Sequence, residues 1–324
     1  MTVPFLLAPM AELSHRPLRE LIEGFSGPGS GCDEYFTEMI SAGPLLGGGP
    51  FESWYMDAGP CPERVVYQLV GSDPEQIVRA ALLLDSRECL GIDINMGCAA
   101  PAIRRTGAGV AWMASIDKAG SLIARVRQAV KKRLSVKLRI GFEDDFDYLL
   151  NFCRRLEGEG AELITLHPRT AGEKFKRSPR WDYVTALRRE LHIPVAGNGD
   201  VASATDLLRR ADGGPVMVGR AAVRCPWIFA EARSAQNFTD YHGFMQKEVD
   251  LEETALRFLE LLIKYQPPEF YISRARRFFN YFCDNLKWAH YVKTLLNREE
   301  TLGGIERALR GYFGEHPEER YRKT

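Results

Sequence analysis

Residues 134–168 read LSVKLRI (134–140), GFEDDFDYLLNFCRRLEGEGA (141–161) and ELITLHP (162–168): an apolar run, a helical stretch and a second apolar run. The two runs are rich in Val, Ile and Leu without clean alternation, as strands buried on both faces are. The same unit recurs on either side. PFLLAP (4–9), EYFTEM (34–39), RVVYQLV (64–70), GIDINMG (91–97), IPVAGNGD (193–200) and PVMVGRA (215–221) are further strand candidates. Helix starts follow several of them: Ser72-Asp73-Pro74-Glu75, Pro179 and Ser203. About eight strand–helix units predict a parallel (β/α)8 TIM barrel over residues 1–240, matching the usual size of about 250 residues. A doubly wound open sheet is the alternative, but no G-x-G-x-x-G follows the first strand. After residue 240 the runs stop, and DLEETALRFLELLIKY, SRARRFFNYFCDNLKWAHYVKTLL and TLGGIERALRGYF carry helical periodicity. A smaller all-helical domain over 241–324 is expected. The Gly/Pro-rich stretch 43–62 reads as irregular loop.

The 324 residues are 45% hydrophobic, enough for a large core, and Lys+Arg and Asp+Glu both number 43. Overall charge therefore offers no pull on a nucleic acid, and such a partner needs a local basic face. Seven cysteines (Cys32, Cys61, Cys89, Cys98, Cys153, Cys225, Cys283) with no C-x-x-C suggest reduced thiols in a cytoplasm and no metal site. The N-terminal MTVPFLLAPM reads as a first strand rather than a membrane span or leader. A monomer without membrane attachment is the expectation.

Catalytic residues of such barrels sit at the C-terminal ends of strands. The polar residues here fall there: Pro9 and Met10 after the first run, Gln68, Asn95 with Cys98, Lys137 and Arg139, His167 and Arg169, Asn198-Gly199-Asp200, and Gly219-Arg220. Each has an ordinary reading. Lys137 fits a structural ion pair, His167 a core histidine, Gln68 a backbone partner, Asn198 a turn, Cys98 an inert thiol, and Glu38 a mouth residue or a cap. Spread over seven strand ends, however, they outline one mouth. Gly197, Gly199, Gly213, Gly214 and Gly219 cluster where barrels often hold a phosphate, and Arg220 adds a cation.

In order along the chain come Ala8-Pro9-Met10, Thr37-Glu38-Met39, Gln68 in VYQLVGSDPE, Asn95-Met96-Gly97-Cys98 and Gly107-Ala108-Gly109. Val136-Lys137-Leu138-Arg139, His167 with Arg169-Thr170, Asn198-Gly199-Asp200, Gly219-Arg220-Ala221-Ala222 and Pro226-Trp227-Ile228-Phe229 follow. This set resembles the dihydrouridine synthase family over about the first 230 residues, and the helical tail is similar to the family's RNA-binding domain. Two departures stand out. Ala99 occupies the position after the cysteine where the family usually has proline, which here comes at Pro101, and Pro168 stands where glycine is common.

The resemblance implies FMN at the barrel mouth, contacted by Pro9, Met10, Gln68, Lys137, His167, Asn198, Gly199, Asp200, Gly219 and Arg220. It implies NADPH as reductant and tRNA as substrate. Hydride goes to C6 of a uracil and a proton from Cys98 goes to C5. Asn95, Arg139, Arg169, Lys174, Lys176, Arg274, Arg276 and Arg277 are the candidate substrate contacts. Which uridine is reduced depends on geometry rather than motif. Two competing functions remain at this level: an FMN barrel reductase for a small molecule of dihydroorotate or enoate type, and a non-catalytic RNA-binding barrel.

Overall fold

Strands whose outer faces meet helices and whose inner faces meet one another have no edge to expose if the sheet closes. That is the outcome in this protein. The computed structural model describes residues 3–26, 31–173, 176–236 and 248–323. Its strands are β1 (Phe5–Leu7), β2 (Glu34–Ser41), β3 (Val65–Val70), β4 (Gly91–Met96), β5 (Arg133–Gly141), β6 (Leu163–Thr170), β7 (Val195–Asn198) and β8 (Val216–Val218). They form one closed parallel barrel in sequence order, with β8 returning to β1 through Phe5–Val216 and Leu7–Val218. The eight-stranded expectation therefore holds, and the open sheet is excluded.

The helices form the outer ring; the starts read at Asp73 and Ser203 hold, and Ser115 and Asp145 cap two more. Asp73 caps Glu75 N–H, Ser115 caps Lys118, Asp145 caps Tyr148, and Ser203 caps Asp206. The stretch 43–62 differs from the irregular loop expected, because it contains short helices at Ala42–Leu46 and Glu52–Tyr55. Inside the barrel, Leu6, Ala8, Phe36, Val66, Leu163, Ala196 and Met217 pack as a separate apolar cluster. Two residues further along the same strands, the two-residue period puts polar side chains above this floor: Gln68 on β3, Thr165 on β6 and Asn198 on β7, each buried. On β4 and β5 the same face carries Asp93 and Asn95, and Ser135 and Lys137.

The C-terminal region has four helices, Leu251–Tyr265, Tyr271–Phe282, Ala289–Arg298 and Leu302–Glu315. It is not wholly helical: β9 (Glu248–Asp250) and β10 (Tyr321–Lys323) pair antiparallel and tie its start to its end. These short segments carry no apolar run, so periodicity gave no sign of them. The expected boundary near 240 falls within residues outside those described. Phe258, Phe278, Phe279 and Phe282 make the core of this region, with Phe258 and Phe278 stacked at 3.7 Å. Among the described residues no helix is long and apolar enough to cross a membrane.

The region docks on the barrel through a buried ion pair. Arg274 Nη1 lies 2.9 Å from Glu38 Oε2, with side chains 3% and 4% exposed. Glu38 Oε1 also accepts from Glu12 N at 2.6 Å. Burial pushes the Glu38 carboxyl up, and the Arg274 guanidinium draws it back down. This corrects the expectation that Arg274 touches RNA. On its helix it lies four residues before Phe278 and eight before Phe282, so it shares the apolar face. Arg274→Met should lower the unfolding free energy by about 3–5 kcal/mol by stranding a buried carboxylate, and adding Glu38→Gln should recover much of that loss. Urea denaturation measures both; a single variant within about 1 kcal/mol of wild type would show the pair carries little.

Candidate active site

A cavity of about 610 Å³ opens at the C-terminal ends of the barrel strands. Its wall contains Pro9, Met10, Asn95, Cys98, Lys137, Arg139, His167, Asn198, Gly199, Asp200, Gly219 and Arg220 from the barrel, and Arg277 and Tyr281 from helix Tyr271–Phe282. With Met39 from β2 also on the wall, seven strand ends and the C-terminal region meet in one pocket. Arg277 and Tyr281 are four residues apart, one helical turn, and so share a face. Tyr281 was not singled out from the sequence, although its spacing from Arg277 was a usable signal.

Cys98 lies just past the end of β4, and its backbone is held on both sides. Its N–H donates to Asn95 Oδ1 at 2.9 Å, as does that of Gly97 at 3.1 Å. Its carbonyl accepts from Val110 N. Gly109 makes this closure possible. It sits at φ +61°, and a Cβ there would lie 2.5 Å from the Cys98 carbonyl oxygen.

Beneath the wall runs a buried set of polar groups. Asn95 Nδ2 donates to Gln68 Oε1 at 2.9 Å, and Gln68 Nε2 donates to Asp93 Oδ2 at 2.7 Å. Ser135 Oγ donates to Asp93 Oδ1 at 2.6 Å. Gln68, expected to face a flavin ring, is fully buried and off the cavity wall, with Nε2 bonded to Asp93 and Oε1 to Asn95. Asn95 is likewise engaged at both ends, which makes it a holder of the Cys98 loop rather than a group free to bind substrate. Asp93 was missed because GIDINMG was read as one apolar run. The two-residue period linking Asp93 to Asn95 was the available signal.

Next to this set, from β5 onward, the pocket is cationic. Lys137 makes no hydrogen bond or ion pair among the described residues. Burial, and then the nearby Arg139, pull its ammonium down to about 8, while Asp93 and Cys98 act in the opposite direction. Arg139 donates to Gly97 O at 3.0 Å and Thr170 O at 3.2 Å, tying β5 to the loops after β4 and β6. Burial, together with Lys137, Arg139, Arg169 and Arg220, drives His167 far below its ordinary range, so the ring is neutral. Arg169 Nη1 lies 3.1 Å from His167 Nε2. A guanidinium only donates, so Nε2 accepts and the ring proton is on Nδ1.

Arg169 is 1% exposed and lies behind the wall; it is not a substrate contact. It donates to both oxygens of Asp200, which also accepts from Arg220 Nη2 at 3.0 Å. Asp200 sits at φ +48°, a left-handed conformation uncommon for residues other than glycine, and these two arginines hold it there. Asn198 Nδ2 donates to Met217 O at 2.9 Å, fixing β7 to β8. The helix opened by Arg220 spans only Arg220–Arg224, shorter than the helix end expected at a phosphate site.

The remaining basic candidates separate. Lys174 lies outside the described residues. Lys176 is exposed but off the cavity wall, and its neighbours Arg177 and Arg180 pair with Glu173, whose carboxyl they help hold down at about 2. Arg276 donates to Glu299 O at 2.9 Å within its own region. Arg277 alone of the Arg274–Arg277 cluster reaches the cavity.

The Lys137 shift has a sign that can be tested. Its folded value is lowered to about 8 from the ordinary 10.5. Below about pH 8 the fold buries an ammonium that the unfolded chain keeps in water, so the group costs stability. Between about 8 and 10.5 the unfolded chain binds the extra proton, and stability from this group rises with pH. Ligand-free Lys137→Met should therefore be more stable than wild type at pH 7 by about 2 kcal/mol, with the gap closing towards pH 10.5. Denaturant titrations across that range read the difference; a gap that widens with pH would contradict this account of the lysine.

Comparison with known proteins agrees with this geometry. The family model described as "Dihydrouridine synthase (Dus)" matches residues 6–310. A probable tRNA-dihydrouridine synthase of Aquifex aeolicus is 33% identical over 243 residues, covering 72% of this chain and 73% of that protein. tRNA-dihydrouridine synthase B of Vibrio cholerae is 29% identical over 321 residues, covering 95% of each. The corresponding protein of Xanthomonas axonopodis is 27% identical over 318 residues, covering 95% and 92%. A match running from β1 into the last helix leaves one assignment: the chain belongs to the dihydrouridine synthase family.

Proposed function

We propose that this protein is a tRNA-dihydrouridine synthase that reduces the C5=C6 bond of a specific uridine in tRNA, with FMN in the barrel-mouth cavity and NADPH as reductant. The observation that carries the reading is that Cys98 shares one cavity wall with Lys137, Arg139 and His167. An acid and a set of cations thus surround a single space. About 610 Å³ is within the ~300–1,000 Å³ range of cofactor pockets. The donor set also fits FMN. Lys137 supplies an ammonium for an electron-rich ring, His167 a neutral imidazole, and Gly199, Gly219 and Arg220 the contacts for a phosphate. Pro9, Met10 and Asn198 complete the surface around the ring. Asp200 contributes by fixing Arg220 and Arg169.

Bound there, reduced FMN supplies the hydride equivalent that saturates C6 of the uracil. The protein's own tasks follow from the charge this leaves. Cys98 gives its S–H proton to C5, ending as a thiolate that solvent reprotonates. Lys137 and Arg139, on the same wall, stabilise negative charge on the base in a setting where cations act strongly. The neutral His167 donates without adding a further charge.

The target base must leave its stack to enter, which costs a few kcal/mol or less for a loop nucleotide. Arg277 and Tyr281 at the rim are placed to receive the RNA, a cation for its backbone and a ring beside it. The exposed Lys176 is a further candidate contact.

Purified protein with FMN, NADPH and unmodified tRNA should form dihydrouridine, while Cys98→Ala should still oxidise NADPH through FMN and form none. Nucleoside mass spectrometry reads the product. Normal product from Cys98→Ala would remove the acid role, and turnover of free dihydroorotate or enoates without tRNA would favour a small-molecule reductase. Arg277→Glu should weaken tRNA binding and flatten the slope of log affinity against log salt by about 1, with flavin reduction spared. An unchanged slope would place the RNA elsewhere.

A further inference from the structure

The buried hydrogen bonds beneath Cys98 have a direction, and one residue sets it. The Asp93 carboxylate, fully buried on β4, only accepts. It takes Ser135 Oγ–H at 2.6 Å and Gln68 Nε2–H at 2.7 Å. Gln68 must therefore turn its nitrogen to Asp93 and its oxygen to Asn95. Asn95 must in turn present Nδ2 to Gln68, at 2.9 Å, and keep Oδ1 for the N–H groups of Gly97 and Cys98. Reversing Asn95 would set its NH2 against the N–H groups of Gly97 and Cys98, and reversing Gln68 would set NH2 against NH2 and its oxygen against the Asp93 carboxylate.

We propose that Asp93 is a positioning residue for the Cys98 thiol: as the terminal acceptor of the Gln68–Asn95 relay, it orients the amide that pins the Cys98 backbone to the cavity wall. The inference rests on the reading of Cys98 as the acid. The opposite side of the loop is already fixed, by Val110 N on the Cys98 carbonyl and by the close approach of Gly109. The relay, with the Arg139 bond to Gly97 O, supplies the remaining restraint on the Cys98 backbone, and so on where the sulfur can reach. What matters is the acceptor, not the charge. Burial pushes the Asp93 carboxyl up to about 6, with Ser135, Gln68 and Lys137 opposing. A proton on Oδ1 still leaves Oδ2 accepting from Gln68, because the Ser135 hydroxyl can turn from donor to acceptor. An asparagine at position 93 can do the same, with its oxygen to Gln68 and its nitrogen to Ser135.

The test is a set of variants in the full-length, FMN-loaded protein, read by hydrogen exchange of the segment containing Gly97 and Cys98 and by dihydrouridine formation. Asp93→Leu and Gln68→Met should each speed exchange of that segment about tenfold and lower kcat about tenfold, with KM for tRNA unchanged. Asp93→Asn should stay within about threefold of wild type in both. The Asp93→Leu/Gln68→Met double variant should be no worse than either single change, because both break one chain. If Asp93→Leu fails to fold, Gln68→Met beside Asp93→Asn decides the matter. Unchanged exchange in Gln68→Met, an Asp93→Asn as impaired as Asp93→Leu, or additive losses in the double variant would overturn the proposal. A wild-type protein that forms no dihydrouridine would instead sink the functional reading, while the exchange pattern would still judge the relay.

Discussion

Closing eight parallel strands creates an interior that only side chains can fill, at two-residue intervals along each strand. Every feature of the site follows from how that interior is filled. The lower level is apolar, with Leu6, Phe36, Val66, Leu163 and Met217 in contact. The next level is polar, and a polar group sealed in a barrel must find a partner there. Asp93, Ser135, Gln68 and Asn95 satisfy one another across three strands, and the outermost bonds of that set reach the Cys98 loop. The Cys98 backbone is therefore held both by the barrel interior, through Asn95, and by its own loop, through Val110 and Gly109.

The cations of β5 to β8 solve a different problem. Lys137, Arg139, Arg169 and Arg220 converge around one space, and such a grouping raises the cost of each charge. The structure divides the load. Arg169 and Arg220 share Asp200, Arg139 is spent on the backbone of two loops, and His167 is kept neutral. Lys137 carries what is left, with its ammonium pulled down to about 8. The pocket is thus left with an excess of positive charge, which favours an electron-rich or anionic occupant.

Most of the architecture was legible in the chain, because strand-end polar residues such as Lys137, His167 and Asn198 interrupt otherwise apolar runs. The misses have one cause: periodicity was read for elements and not for faces. GIDINMG was read as uniformly buried, which hid Asp93 on the same inward face as Asn95. SRARRFFNYF was read as a basic cluster, yet its 3.6-residue period places Arg274 with Phe278 and Phe282 inside and Arg277 with Tyr281 at the cavity. Gln68 was recognised as part of the mouth, but only the register of β3 against β4 shows that its amide is committed below the wall. The β9–β10 pair joins segments about 70 residues apart, and no local pattern announces it.

The account stands on one link, between this cavity and a uridine in tRNA. Position-resolved mapping of dihydrouridine in total tRNA, comparing cells with and without this protein, tests that link most directly. The expected result is loss of dihydrouridine at one position or a small set of positions, with other modified uridines intact. Dihydrouridine unchanged at every tRNA position in the deleted cells would contradict it.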